Sequence, residues 1–370
     1  MKICFINSLS YSQNPSLKRA TGMAPALADL GYSVSIVLEG SEENKKKIQE
    51  DCPDIEAIFY PPGLSRNSER NWKNHILQKI SPDLVYICTV NRRNWVKQPS
   101  PKAKIIAEHN ELQSVIKNKG LRRYLDLLFE WGHLLSFDAH LLASRYLQKV
   151  YDKRLRCLGL KSPTLYQPFA FGENNEKIQV ELLTSLKGKY PADKTFLYMG
   201  SFWENYGFWD MLKAFQKLAK SAKDFQFLLS GKGPEKERGM QWVEENGLQE
   251  QIRFLGYLPD AELATYFAFA DAFLCPLRDT AQDKARCPSK LFMYIPFQKP
   301  IITCKIGEAW ELLREKGTYY SPGNSDDLYE RLLEFVNNPL PTLGIDLGKH
   351  TWKARALEFD HWVRNDLKNA

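Results

Sequence analysis

The feature that most constrains this chain is a rhythm that starts twice. Short apolar runs alternate with longer amphipathic segments along its 370 residues. Ile3–Ile6 reads as a buried strand and Lys18–Leu30 as a helix, with Gly31 where a left-handed residue commonly closes one. Val34–Leu38 is a second strand run, and Leu84–Cys88, Lys104–Ala107 and Ala139–Ala143 continue the series. The pattern restarts near residue 195. Phe196–Met199, Phe225–Leu229, Ile252–Leu255, Ala272–Pro276 and Pro300–Cys304 are strand runs, with helices expected over Phe208–Lys220, after Asp260, and from about Ser325 to Val336. Asp260 is expected to cap its helix. Leu263, Tyr266, Phe267 and Ala270 then form one apolar stripe. Strands separated by helices imply βαβ units, and so parallel sheets covered on both faces. The chain therefore reads as two α/β units in series.

The weakest pattern lies between Gly159 and Lys194, where Ser162-Pro163, Gln167-Pro168, Gly172–Asn175 and Pro191 cluster, and the linker is expected there. A last helix, His350–Leu367, follows the break at Pro339–Gly344. An apolar fraction of 44% allows a core in each unit, and no apolar run approaches the roughly 20 residues that span a bilayer. The start MKICFINSLS runs directly into a strand, so no signal peptide is expected. Seven scattered cysteines without a CxxC pair argue against a zinc site and for a reducing cytoplasm. The formal charge of +7 suits an anionic substrate or lipid surface, or ordinary solubility. No long basic run or nucleic-acid motif is present, so nucleic acid is not an expected partner.

Three segments stand out chemically. Gly231-Lys-Gly-Pro234 follows a strand and precedes a helix, where glycines let backbone approach a ligand; a tight structural turn is the alternative. Arg286-Cys-Pro-Ser-Lys290 places Ser289 or Pro288 at a helix start and Lys290 in its first turn. A cation there opposes the helix dipole unless an anion such as a diphosphate binds at that end. Arg286 can add bidentate phosphate contacts. Glu108-His109-Asn110 ends a strand, and His109 can face a cleft as hydrogen-bond donor or general acid/base, or be structural.

These features, in this order, resemble the family-4 retaining glycosyltransferases. The C-terminal half carries Gly200 and Gly207, then Phe227-Leu-Leu-Ser-Gly-Lys-Gly-Pro234, Ile252-Arg-Phe-Leu-Gly-Tyr-Leu258, Ala270-Asp-Ala-Phe-Leu-Cys-Pro276, Pro300-Ile-Ile-Thr303 and Gly307-Glu308. The N-terminal half fits through Gly22, Gly31–Ile36, Glu108-His109 and Ala143-Ser144. The resemblance implies the GT-B fold: two Rossmann-like domains with parallel sheets facing across a cleft. It implies an acceptor domain over residues 1–170, a donor domain over 171–348, and a C-terminal helix, 349–370, crossing back to the first. It also implies a hexosyl transfer from a nucleotide-sugar, with retention and without a metal or other cofactor, to a glycan or lipid-linked acceptor. Polysaccharide biosynthesis is the expected setting.

Carried onto this chain, the donor residues are Gly200, Ser201, Tyr206, Gly231, Gly233, Pro234, Arg286, Ser289, Lys290 and Glu308. His109 is catalytic. Separately from the resemblance, Arg19 and the basic-aromatic cluster of Arg92, Arg93, Trp95 and Lys97 are expected to line the acceptor cleft, with a solvated loop the alternative for the cluster. The chain departs from the family in four places. Ser201 and Tyr206 stand where it carries phosphate-binding Arg and Lys, and Ala285 and Met293 stand at or near its two glutamates. Arg286 and Lys290 are expected to take over the diphosphate. A catalytically silent glycan- or partner-binding protein and a nucleotide-sugar epimerase on the same fold are the rival readings.

Residues 117–135 combine a basic start with an apolar helix. One reading packs Leu121, Leu125, Leu128 and Leu135 into the core. The other lays the helix on the inner face of a membrane, making a cytoplasmic protein peripheral.

Overall fold

The computed structural model describes residues 1–11, 16–116, 120–172, 177–338 and 341–367. Their contacts divide the chain into two compact units. The first comprises Met1–Gly172, Ala285–Cys287 and Gly348–Ala370; the second comprises Glu173–Lys284 and Pro288–Leu347.

The strands of the first unit are β1 (Lys2–Ile6), β2 (Ser33–Glu39), β3 (Glu56–Tyr60), β4 (Leu84–Ile87), β5 (Lys104–His109), β6 (Ala139–Leu142) and β7 (Thr164–Tyr166). Among the described residues they form one sheet in the order β3-β2-β1-β4-β5-β6-β7, and each neighbouring pair is parallel. Because successive side chains point to opposite faces, β1 feeds two cores. Ile3 and Phe5 pack with the helices Leu17–Asp29 and Trp352–Trp362, whereas Cys4 and Ile6 pack on the other face with Leu77 and Phe137. The late helix docks on the early one through a glycine: a Cβ on Gly22 would lie 2.4 Å from the Trp352 ring. The Tyr32 hydroxyl donates to Asp360 over 2.7 Å nearby.

The second unit contains β8 (Lys194–Met199), β9 (Phe225–Ser230), β10 (Ile252–Gly256), β11 (Ala272–Cys275), β12 (Ile301–Thr303) and β13 (Thr318–Tyr319). They form a parallel sheet in the order β10-β9-β8-β11-β12-β13. Phe196, Phe215 and Phe227 anchor its core, the last two stacked at 3.9 Å. The two-unit, parallel-sheet architecture expected from the rhythm is present.

Several local expectations need correction. Asp260 is the first residue of the helix Asp260–Phe269, and Pro259 stands at the cap position expected for it. That helix is buried at Leu263, Ala264, Thr265, Tyr266 and Phe267, more than one stripe, because it is covered on several sides. A short helix, Ala281–Ala285, follows β11. The expected linker region holds β7 and the helix Val180–Lys189; residues 173–176 within it lie outside the described residues, as do 117–119, 339 and 340. The leucines offered to the core do not reach it. In the helix Leu121–Ser136, Leu121, Leu125, Leu128 and Leu135 are 76%, 56%, 67% and 69% exposed. They sit opposite the face that buries Glu130, His133 and Leu134.

Among the described residues, no helix is long and apolar enough to cross a membrane. The cysteines form no disulfide, and five of the seven are buried.

Candidate functional site

In an open parallel sheet, the order of strands reverses direction at one point, and a crevice opens beyond the carboxyl ends there. In the second unit that point lies between β8 and β11. The loop leaving β8 begins with Gly200, and it is laced to the loop leaving β9. Gly200 N–H donates to Ser230 O over 2.9 Å, Phe202 N–H to Lys232 O over 2.9 Å, and Glu235 N–H to Phe202 O over 3.2 Å. The β9 loop is tied in turn to β10, since Gly231 N–H and the Ser230 hydroxyl both donate to Gly256 O, over 2.8 and 3.1 Å.

Only glycine allows this spacing. A Cβ on Gly231 would stand 1.7 Å from Gly200 O, and one on Gly233 would stand 2.3 Å from Phe202 O. The φ of +145° at Gly231 is a second reason, since L side chains rarely adopt it. Gly207 is pinned differently: a Cβ there would meet Pro276, the residue after β11, at 2.6 Å. Gly200, Gly207, Gly231 and Gly233 thus bring the β8 and β9 loops and the end of β11 together.

The Lys290 cation stands over this ground. A Cβ on Gly200 would lie 2.5 Å from the Lys290 ammonium, and that ammonium sits 4.0 Å above the centre of the Tyr198 ring. Lys290 is the second residue of the helix Ser289–Tyr294, as expected. Tyr198 belongs to β8, and its hydroxyl donates to Ser201 O over 2.9 Å. Tyr294 fixes the other end of the short helix: its ring stacks on Phe273 at 4.3 Å, and its hydroxyl accepts from Met199 N–H over 2.9 Å. Gly200, Ser201, Gly231, Gly233, Ser289 and Lys290 are therefore gathered at one carboxyl edge. Tyr206 lies in a single helical turn, Glu204–Tyr206, and Pro234 is exposed beyond Gly233.

Two other donor candidates sit elsewhere in kind. Glu308 is 1% exposed in the first turn of Gly307–Leu313, where a carboxylate suits the helix dipole. Arg286 groups by its contacts with the first unit, whereas Lys290 groups with the second. Lys290 and Glu308 belong to the unit that carries the glycine-lined edge, and Lys290 lies directly against Gly200.

In the first unit the reversal point lies between β1 and β4. Its edge is occupied by side chains bound to one another. Arg19 is 1% exposed and pairs with Glu108 at 2.8 Å; it also donates to Pro168 O over 3.2 Å. Burial alone would lower the Arg19 pKa, but the Glu108 carboxylate beside it raises it above the ordinary value. Tyr86 donates to the other Glu108 oxygen over 2.8 Å. A second group forms around Lys73, whose ammonium donates to Glu69 over 2.6 Å, Asn94 over 2.8 Å and Ser8 over 2.9 Å. Burial pulls its pKa down to about 8. Arg93 holds the other Glu69 oxygen at 2.5 Å. Arg19 is thus a buried ion-pair partner, whereas Arg93 pairs with Glu69 from a side chain that is 34% exposed. Arg92 is exposed and lies over the Phe129 ring at 5.7 Å.

His109 also differs from the expectation of a cleft-facing acid or base. It is 4% exposed, with Nε2 3.1 Å from His140 Nδ1 and Nδ1 2.9 Å from the Tyr151 hydroxyl. Burial, reinforced by His140, His133 and Arg154, holds its pKa well below the usual histidine value. A neutral imidazole using both nitrogens on protein partners is a poor proton donor near pH 7.

Sequence reading missed Tyr198, Lys73, His140 and Tyr151. Glu69 and Lys73 stand four apart on the helix Arg66–Ile80, a pairing signal visible in the sequence. The other partners come from distant strands or, for Tyr151, from the helix Arg145–Cys157, and carry no local mark.

Comparisons with known proteins bear on the fold and on the second unit. Residues 193–338 match the family described as glycosyl transferases group 1. A segment of 102 residues is 30% identical to a 2-deoxystreptamine N-acetyl-D-glucosaminyltransferase of Niallia circulans. The match spans 28% of this chain and 26% of that relative's length. Among solved structures, the sucrose-phosphate synthase of Thermosynechococcus elongatus superposes with a TM-score of 0.75 at 18% identity, covering all of both chains. Anabaena HepE in complex with UDP superposes with a TM-score of 0.71 at 15% identity, covering 100% of this chain and 97% of that one. The fold is the GT-B fold of such glycosyltransferases.

Proposed function

We propose that this chain is a glycosyltransferase that binds a nucleoside-diphosphate sugar on the carboxyl edge of its second unit and transfers the sugar with retention. The observation that carries this reading is the edge itself. Glycine-only backbone from two strand loops lies beneath the Lys290 ammonium, at the reversal point of a parallel sheet. Backbone without side chains lets a pyrophosphate approach closely, and a lysine supplies the charge. Charge on the departing diphosphate is then stabilised by Lys290, and no metal ion is required for that neutralisation. The matched family over residues 193–338 and the UDP held by HepE support a nucleotide-sugar donor.

A glycan or lipid-linked acceptor fits the same reading. The exposed leucine face of Leu121–Ser136 supports peripheral contact with a membrane carrying such an acceptor. Thermal denaturation with a panel of nucleoside diphosphates tests the donor half directly, since a ligand that binds only the folded protein raises the melting temperature. A rise with at least one nucleotide is expected. No rise with any of them would remove the donor site.

A further inference from the structure

A second concavity lies away from the carboxyl edges. It is a groove of about 920 Å³ in the first unit, lined on one side by Arg70 and Asn74 of the helix Arg66–Ile80 and on the other by Leu135 and Phe137. Trp95 and Lys97 also line it. Ile105, at the start of β5, and Asp138, just before β6, place it at the amino ends of those strands. It is therefore separate from the crevice expected between β1 and β4.

Its chemistry is divided. Trp95, Leu135 and Phe137 are apolar, whereas Arg70 and Lys97 are cations that form no ion pair among the described residues. The one carboxylate, Asp138, accepts from Ile105 N–H over 2.7 Å. Asn74 accepts from Lys97 N–H over 2.8 Å, which fixes the backbone that carries the lysine.

The groove adjoins the exposed helix face. Leu135 belongs to both, and Leu121, Tyr124, Leu125 and Leu128 continue the stripe along Leu121–Ser136. These positions recur every three to four residues or multiples of that spacing, so they share one face. Exposed Arg122 on the same helix and exposed Arg92, over the Phe129 ring at 5.7 Å, supply cations beside it. An apolar stripe with cations beside it, ending in a cationic, half-apolar groove, matches an amphiphile with an anionic head. It does not suit a second copy of this chain, because a two-fold contact would set this basic patch against itself.

We infer that the groove binds the headgroup of an anionic phospholipid, with Arg70 and Lys97 on the phosphate and the leucine stripe lying in the bilayer surface. This deepens, and rests on, the membrane contact proposed above.

The test has three arms. Flotation uses phosphatidylcholine vesicles with and without phosphatidylglycerol. Calorimetry uses dihexanoyl-phosphatidylglycerol below its micelle concentration, with glycerol phosphate as the lipid-free comparison. Nucleotide-induced thermal shift is read separately. Wild-type protein is expected to favour phosphatidylglycerol vesicles and to bind the short-chain lipid saturably, and more tightly than glycerol phosphate. Arg70→Ala and Lys97→Ala should each weaken binding to the anionic vesicles about fivefold. Both side chains are at least partly exposed, so their melting temperatures should stay near wild type. Leu125→Ser with Leu128→Ser should abolish flotation but keep the short-chain binding.

Vesicle binding without saturable short-chain binding overturns the groove and leaves the membrane contact standing. Equal affinity for glycerol phosphate overturns the lipid assignment. Absence of flotation in any mixture overturns both, as does self-association abolished by the serine pair. The nucleotide shift judges the donor site independently of every arm.

Discussion

The two sheets finish their carboxyl edges in opposite ways. In the first unit the edge is closed by side chains: Arg19, Glu108 and Tyr86 bind one another, Lys73 joins Glu69, Asn94 and Ser8, and His109 joins Tyr151 and His140. In the second unit the edge is closed by backbone, through hydrogen bonds among the loops after β8, β9 and β10. A side-chain edge is strong but saturated, and it fails when a charge is left alone. A backbone edge leaves its surface bare for a ligand, and it fails when any atom is added. The same topology therefore gives one edge closed by side chains and another left open by backbone, the edge proposed above for a diphosphate.

The contrast can be broken first where it is strongest. Arg19→Ala strands the Glu108 carboxylate in the interior and should cost about 3–5 kcal/mol of stability, the usual effect of breaking a buried pair. Urea unfolding measures it. If the protein still folds, nucleotide-induced stabilisation should persist, and its loss would show that the two edges are coupled.

Acid is the second probe. Burial holds His140 down to about 3 and His133 to about 4, against an ordinary 6.5. Both are neutral when folded, while the unfolded chain takes up protons below 6.5. Their contribution is thus complete above pH 6.5 and declines as pH falls toward 4 and 3. Each tenfold difference in proton affinity is worth about 1.4 kcal/mol, so several kcal/mol are at stake. Melting temperature should fall across that window, and His140→Gln should flatten the fall. An identical pH profile in the variant would mean that the histidines do not govern it.

Gly231→Ala is the steric counterpart. The added methyl meets Gly200 O, so about 1–3 kcal/mol of stability should be lost together with the nucleotide response. Gly247→Ala is its control. That φ is +65° with no atom within 4 Å of the added carbon, so only conformational strain of about 1 kcal/mol is expected. Equal losses of nucleotide response would show that crowding at Gly231 is not special.

Lys290→Ala should weaken diphosphate binding by about 1.5–3 kcal/mol while hardly changing stability. Arg286→Ala should weaken it less, because Arg286 groups with the other unit. Titration of both variants with a nucleoside diphosphate decides this, and an equal loss would place Arg286 in the donor site.

Much of this was legible beforehand, for physical reasons. Strands buried on both faces, such as β1, β4 and β9, are mostly apolar, so they stood out. The edge strand β3 is mostly half-buried and the two-residue β13 is short, so neither had to carry a strong pattern. Gly231, Gly233 and Lys290 were legible because glycine before a helix, and a cation in a first turn, are locally unfavourable without a reason. Arg19 and His109 were legible as residues but not in role. Whether a strand-end cation or imidazole meets solvent depends on Glu108, Tyr86, Tyr151 and His140, which come from elsewhere in the chain. The leucines of Leu121–Ser136 show the same limit: their periodicity marks an apolar face but not what covers it.

The contact between Gly22 and Trp352 bears on the order in which the molecule is completed. The Tyr32–Asp360 hydrogen bond beside it joins residues 328 positions apart. On a ribosome, residues 177–338 emerge before the helix Trp352–Trp362 exists, so the second unit can finish its core while one face of the first sheet still lacks its cover. The first unit to be made is the last to be closed. Until then, Phe5, Tyr86 and the Gly22 surface of the early helix present an uncovered apolar patch, the stage at which this chain is most open to aggregation or to a chaperone.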